Sequence, residues 1–246
     1  MENVSKALII SAGILFAVLV LTLLVIFFNQ ISSYYSEQNK AKMIEQITEF
    51  NSKFDNYSET TIRGNELISV MNKVVDYNRI YSEEGAERIT ISVDLQGHQK
   101  DLLYTGTPNS DIIFSKTMIT NGSGNDDEVG SISGLATQLA NDSGIQETKL
   151  QKLSAEISHV CDEGATDSDK KDRNEKIAKI LGYNKNKTFS DTEIKNIQSA
   201  TRKYYQLTQF KRTMFKCTEV VHGQKDGKIN RISFEAVIDN GMLKFN

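Results

Sequence analysis

Ala7-Leu-Ile-Ile-Ser11-Ala-Gly13-Ile-Leu-Phe-Ala-Val-Leu-Val-Leu-Thr22-Leu-Leu-Val-Ile-Phe-Phe28 is a run of 22 residues without one ionisable side chain. At about 1.5 Å of rise per helical residue it is roughly 33 Å long, which matches a hydrocarbon layer of roughly 30 Å. The run reads as a transmembrane helix. Its two hydroxyls, Ser11 and Thr22, can return to backbone carbonyls of the preceding turn, and Gly13 is tolerated in a lipid-embedded helix.

A cleaved secretory signal is the alternative reading of an apolar amino-terminal run. Three features oppose it: the run exceeds the usual signal core of about 7 to 15 residues, residues 1–6 offer only Lys6 beside Glu2, and no small-x-small site follows Phe28. The run is therefore expected to stay as an anchor. Flanking charge is nearly balanced, with Lys6 and the terminal amine on one side and Lys40 and Lys42, diluted by Glu37 and Glu45, on the other. The usual signal-anchor route then puts the amino terminus inside and the rest of the chain outside the cytoplasm. This predicts a single-pass protein of the cell membrane.

Beyond the span, Ile44, Ile47, Phe50, Phe54 and Tyr57 recur every three or four residues, which continues the helix with an apolar packing face. Tyr34 and Tyr35 fall where amphipathic rings suit the interfacial layer. The expected layout is a tail at 1–6, the span at 7–28, a helix extension at 29–62 and an α+β domain at 63–246, with the rod as the spine of that domain.

Gly64 interrupts the stripe and is read as a turn, after which Leu67, Ile68, Met71, Val74 and Val75 mark a second amphipathic helix. Ile89, Ile91, Val93 and Leu95 alternate as one face of a strand. Residues 105–134 are rich in Gly, Ser, Asn, Asp and Thr and read as loop around a short apolar island at 112–114. Leu150, Leu153, Ile157 and Val160 form one helical face, and Ile177, Ile180 and Leu181 a shorter one. Ser190-Asp-Thr-Glu193 is a capping box, with Phe189 and Ile194 as the hydrophobic staple around it. Two extended runs, 213–222 and 229–238, close the chain as an antiparallel hairpin. The fold class is α+β, with a long membrane helix leading to a small antiparallel sheet.

Chemistry is sparse. The formal net charge is −3, from 29 basic and 32 acidic residues, so a partner with a phosphodiester backbone is not expected. Cys161 and Cys217 are the only thiols and allow a disulfide in an oxidising exterior; two separately buried thiols are the alternative. A four-ligand metal set of His159, Cys161, Cys217 and His222 has poor spacing, because residues two apart on a helix diverge. His98 reads as a loop residue. Asp126, Asp127 and Glu128 are contiguous and lack the alternation of a calcium loop, and Lys171 spoils the likeness of Asp167, Asp169 and Asp172 to one. No Gly-x-Ser-x-Gly, phosphate loop or His-Glu-x-x-His is present, so neither an enzyme nor a cofactor is expected.

The segments Met1-Glu-Asn-Val-Ser-Lys-Ala7, Phe50-Asn-Ser-Lys-Phe54-x-x-Tyr57 and Ile62-x-Gly64-x-Glu66-Leu-Ile68 through Asn78 resemble small single-pass membrane proteins of Gram-positive Firmicutes. The resemblance covers about residues 1–95, and its layout is similar to that of type IV pilins and pseudopilins. It implies a non-enzymatic structural or assembly subunit of a surface or secretion apparatus, held in the lipid bilayer and joined to protein partners or to its own copies through the N-terminal helix. An anchored module that binds a ligand or cell-wall component is the other reading. A signalling receptor is disfavoured, because six residues form no output domain.

Overall fold

The computed structural model describes residues 2–81, 88–119, 128–162, 166–223 and 227–246. The chain divides into two units, the helical Met1–Lys53 and a head, Phe54–Asn246. Helix α1 covers Glu2–Asp55 and is unbroken through the apolar run and the polar segment after it. Ser11 Oγ donates to the Leu8 carbonyl at 3.1 Å and Thr22 Oγ1 to the Val18 carbonyl at 2.8 Å, so the span's hydroxyls are satisfied inside the helix. The helix stops at Asp55, short of the expected end at residue 62. The β-branched run Thr60-Thr61-Ile62 favours extended backbone, and strand β1 forms there at Thr61–Arg63.

The head is α+β. Helix α2, Gly64–Tyr81, follows β1 directly and buries Leu67, Val70, Met71 and Val74 along one side. Strand β2, Thr90–Asp94, comes next, then an irregular stretch with two short 3-10 turns, then β3, Thr117–Ile119. Five helices follow: α3 Glu128–Ser143, α4 Glu147–Ala155, α5 Ile157–Cys161, α6 Asp167–Leu181 and α7 Asp191–Arg212. The chain then forms β4, Met214–His222, and β5, Ile229–Ala236, and a small ribbon of β6, Ile238–Asp239, with β7, Met242–Leu243. That ribbon turns through Asn240 and Gly241, both at positive φ (51° and 77°), the backbone of a two-residue hairpin loop and the reason for an Asn-Gly pair there.

The sheet order is β1-β4-β5-β2-β3. The C-terminal hairpin β4–β5 is antiparallel, but β5 runs parallel to β2, with Thr90 beside Arg231 and Val93 beside Phe234. The sheet is thus mixed, which corrects the expectation of an antiparallel one. Strands β2 and β5 are joined through the helices and not by a turn, so no local geometry sets their relative direction.

The head has its own central helix. Helix α7 buries Ile194, Ile197, Ala200, Tyr204, Leu207 and Phe210, and most of these share a cluster with Leu139, Leu150, Leu153, Val160, Ile177 and Leu181 from α3 to α6. Near its C-terminal end, Phe210 stacks on Phe114 at 4.7 Å and leans on Phe215 of β4 at 5.1 Å, tying the helical cluster to the sheet. Of the apolar stripe expected on α1 and just beyond it, Phe54 is the fully buried member. Gly64 has a different task from the one expected. It is not at positive φ; its amide donates to the Thr213 carbonyl at 2.8 Å, and a Cβ would collide with the Phe210 carbonyl oxygen. Glycine is needed there for close backbone approach, not for a turn.

Two helix starts are locked by reciprocal caps. Ser190 Oγ accepts from the Glu193 amide at 3.2 Å while Glu193 accepts from the Ser190 amide at 2.7 Å, and the flanking Phe189 and Ile194 are both buried in the helical cluster. Thr166 and Asp169 form the same box at the start of α6. Asp167, Asp169 and Asp172, weighed above as a calcium loop, thus lie on the first turns of a capped helix. Helix α3 is a further correction, since it begins inside the stretch read as loop. Its Gly and Ser content hides the signal, but Ile132, Leu135 and Leu139 still fall on one face, where Ile132 and Leu139 are buried.

Candidate functional site

The surface of α1 is the most unusual in the molecule. Every described side chain from Leu8 to Phe28 is exposed, including Leu15, Phe16 and Phe28, the last 73 % accessible. Soluble proteins do not leave apolar patches of that extent uncovered. This helix is long and apolar enough to cross a membrane, and membrane anchoring follows from its composition. Past the run, Tyr34 and Tyr35 meet edge to face at 6.2 Å, and the Tyr34 hydroxyl accepts from Gln38 at 2.9 Å.

Along the expected packing stripe the exposure falls stepwise. Ile44 is 64 % exposed, Ile47 and Phe50 are half-buried and Phe54 is 2 % exposed. Tyr57, beyond the helix, is half-buried under the Lys73 ammonium, which lies 5.9 Å from its ring centre. At the end of α1, Asp55 pairs with His222 of β4 at 3.4 Å.

The two cysteines are free and buried in different surroundings. Cys161 ends α5 inside the helical cluster, its thiol directed to the Gln198 carbonyl at 3.8 Å. Cys217 lies on β4 and faces the Glu219 carbonyl at 3.8 Å. The disulfide alternative is not formed, because one thiol belongs to the helical layer and the other to a sheet strand. Burial pushes the Cys161 thiol up to about 11, and it also raises Cys217. Both are protonated at neutral pH, which makes them poor nucleophiles and poor ligands.

The head's main polar constellation was not visible beforehand. Asp111, in the second 3-10 turn, is buried; it accepts from Ser199 Oγ at 2.6 Å and from Arg202 Nη1 at 3.3 Å. Gln206 completes the group, donating to the Asp111 carbonyl at 2.7 Å and accepting from the Ile113 amide at 3.1 Å. The one available signal was the spacing of Ser199, Arg202 and Gln206, which puts three polar residues on one face of α7. Nearby, the Tyr104 hydroxyl donates to Asp162 at 2.6 Å; burial first, then that hydrogen bond, raise its pKa to about 12. These groups fasten the irregular stretch between β2 and β3 onto the helices. Ser199, Arg202 Nη1 and Gln206 all donate to Asp111, while the buried Arg202 Nε has no partner among the described residues, an arrangement suited to holding the fold in place.

Asn78 does the same for the neighbouring segment. Its side-chain amide donates to the Ile89 carbonyl and accepts from the Ile89 amide, both at 2.8 Å, so the last turns of α2 align the entry to β2. His98 lies 3.2 Å from Asp101, whose carboxylate also accepts from the Leu243 amide at 2.9 Å. His159 is exposed beside Ser158. Among the described residues, no group of three or more His, Cys, Asp or Glu is placed to hold a metal ion. The acidic run considered as a calcium loop is outside that scope, since Asp126 and Asp127 and the side chain of Glu128 lie outside the described residues. Comparison of the chain with family models, with curated proteins and with solved structures finds no match.

Proposed function

We propose that this protein is a membrane-anchored, non-enzymatic subunit of a surface or secretion assembly, with a layout like that of pilins and pseudopilins and its head outside the cytoplasm. The carrying observation is the continuous exposure of the apolar side chains of α1. In a bilayer, lipid covers such a surface, and neighbouring helices of the same apolar character compete with lipid for it through van der Waals packing. The head supports the reading from the other side: Asp111, Ser199 and Gln206 are engaged in fastening a loop to α7, and the thiols are protonated and enclosed. The likeness to Firmicutes single-pass proteins belongs to this proposal too.

Crosslinking in native membranes tests it. A non-specific photocrosslinker placed at Ile44, an exposed position on the stripe, is expected to give a discrete ladder or one defined heteromeric band. Monomer alone, under conditions where a known membrane complex crosslinks, overturns the assembly reading and leaves the anchored binding module. Orientation is tested separately. Because both native thiols are buried, a membrane-impermeant maleimide is expected to label Asn184→Cys on intact cells and to leave Asn3→Cys unlabelled. The reverse pattern places the head in the cytoplasm and overturns the proposed topology.

A further inference from the structure

The face of the sheet opposite the core is open and polar, and at one end it carries a groove lined by Arg88, Thr90, Val221, Asn230 and Arg231. Strand register explains the convergence. Val221 pairs with Arg231, and Arg231 with Thr90, so one rung of β4, β5 and β2 presents all three side chains on the same side. Arg88 precedes Thr90 by two residues on the same extended segment, with the intervening Ile89 buried on the core side, so its guanidinium falls on the open face. The register shift between Val221 and His222 lets Asn230 join the rim.

Charge singles this end out. Two guanidinium groups share the groove, with Glu219 one rung away, whereas the rung toward the opposite end sets one cation, Lys216, against Glu235 and Asp94. Glu219 reaches Arg231 Nη2 at 3.2 Å and also accepts from Ser233 at 3.4 Å, which holds the Arg231 fork in place without neutralising Arg88. Adjacent strands are about 4.8 Å apart, so donors on β2 and β5 can grip one tetrahedral anion from two sides. A single carboxylate is satisfied by one guanidinium fork; a groove lined by two forks, a hydroxyl and an amide suits an anion with oxygens in several directions.

We propose that this groove binds an oxyanion of the phosphate class between Arg88 and Arg231, with Thr90 and Asn230 as neutral donors. The site stands independently of the assembly reading. The test uses full-length protein in non-ionic detergent at low ionic strength, where surface charge is least screened, titrated with inorganic phosphate and followed by 15N NMR of arginine Nε–H and backbone amides. The expected result is a saturable shift confined to Arg88, Thr90, Asn230 and Arg231, absent with chloride at matched ionic strength. The affinity should fall by about tenfold in Arg88→Gln and in Arg231→Gln, the size of one lost charge-assisted hydrogen bond. Lys216→Gln, on the same face but far along β4, should leave it unchanged. Equal affinity in the arginine variants while their folds are intact by circular dichroism, or shifts spread over lysines and arginines at large, overturns the proposal. Repeating the titration in nanodiscs identifies the source: weaker phosphate binding with phosphatidylglycerol than with phosphatidylcholine marks a lipid headgroup, and equal binding marks a soluble phosphate group.

Discussion

Helices α1 and α7 are the two longest among the described residues, and they treat apolar side chains in opposite ways. Helix α7 alternates buried Ile197, Tyr204 and Phe210 with exposed Lys195 and Asn196, the pattern of a helix between a core and water. Helix α1 has no such alternation through residues 8–28, where apolar side chains point outward in all directions. The contrast shows that the solvent, not helix propensity, decides what an apolar residue stabilises. A leucine of α4 holds the head together by leaving water, and a leucine of α1 holds the chain in a membrane by staying on the surface.

Exchanging the two rules should break each helix in its own way. Arginine at both Leu15 and Leu19 is expected to cost about 2.5–3.5 kcal/mol per residue at the centre of a span, moving the protein from the carbonate-resistant pellet to the supernatant. The head's thermal transition should not move; if it does, the two regions are not energetically separate. Phe210→Ala should do the converse, costing about 3–5 kcal/mol through lost burial and a residual cavity among Phe114 and Phe215. Denaturant unfolding in detergent reads that loss, while membrane retention stays at the wild-type level.

Smaller changes sharpen the same contrast inside α7, whose polar face is as specific as its apolar one. Asp111→Ala leaves Arg202 buried without its carboxylate and should cost about 3 kcal/mol, and adding Arg202→Met should recover most of the loss. Failure of the double variant to recover would show that Ser199 and Gln206, not the ion pair, carry the fastening. Ser190→Ala removes a cap at the start of α7 and should cost about 1 kcal/mol. Hydrogen bonds from the Ser190 amide and hydroxyl depress the Glu193 pKa below its ordinary 4.5. That contribution is present above the unfolded value and is lost as pH falls through the depressed folded one. The stability gap between Ser190→Ala and wild type, measured by thermal melts, should therefore narrow below about pH 4.5.

Legibility followed the range of the interaction. The span, the alternation of Ile89, Ile91, Val93 and Leu95, and the Ser190–Glu193 box are all local, and each sits in the structure where its pattern put it. Helix α3 was obscured because Gly130 and Gly134 have low helix propensity, and only contacts with the rest of the head override that. The Asp111 group was out of reach for a different reason: its members join across the chain, and an aspartate in a polar loop shows nothing of a distant arginine. The parallel pairing of β2 with β5 failed for the same cause, and Gly64 misled because a close approach and a turn ask for the same residue.

The position of β5 has a consequence for how the head is made. It is the central strand, flanked by β4 and β2, and it comes from the last part of the chain. Until residues 229–236 have been synthesised, β2 has only the short β3 at its side and the face of α2 has no finished sheet to rest on. Ordering from the membrane end outward is closed to such a topology. The five-stranded sheet can close only once Ile229–Ala236 has been made, and a ribosome stalled before Ile229 leaves β2 and β4 without the strand that joins them.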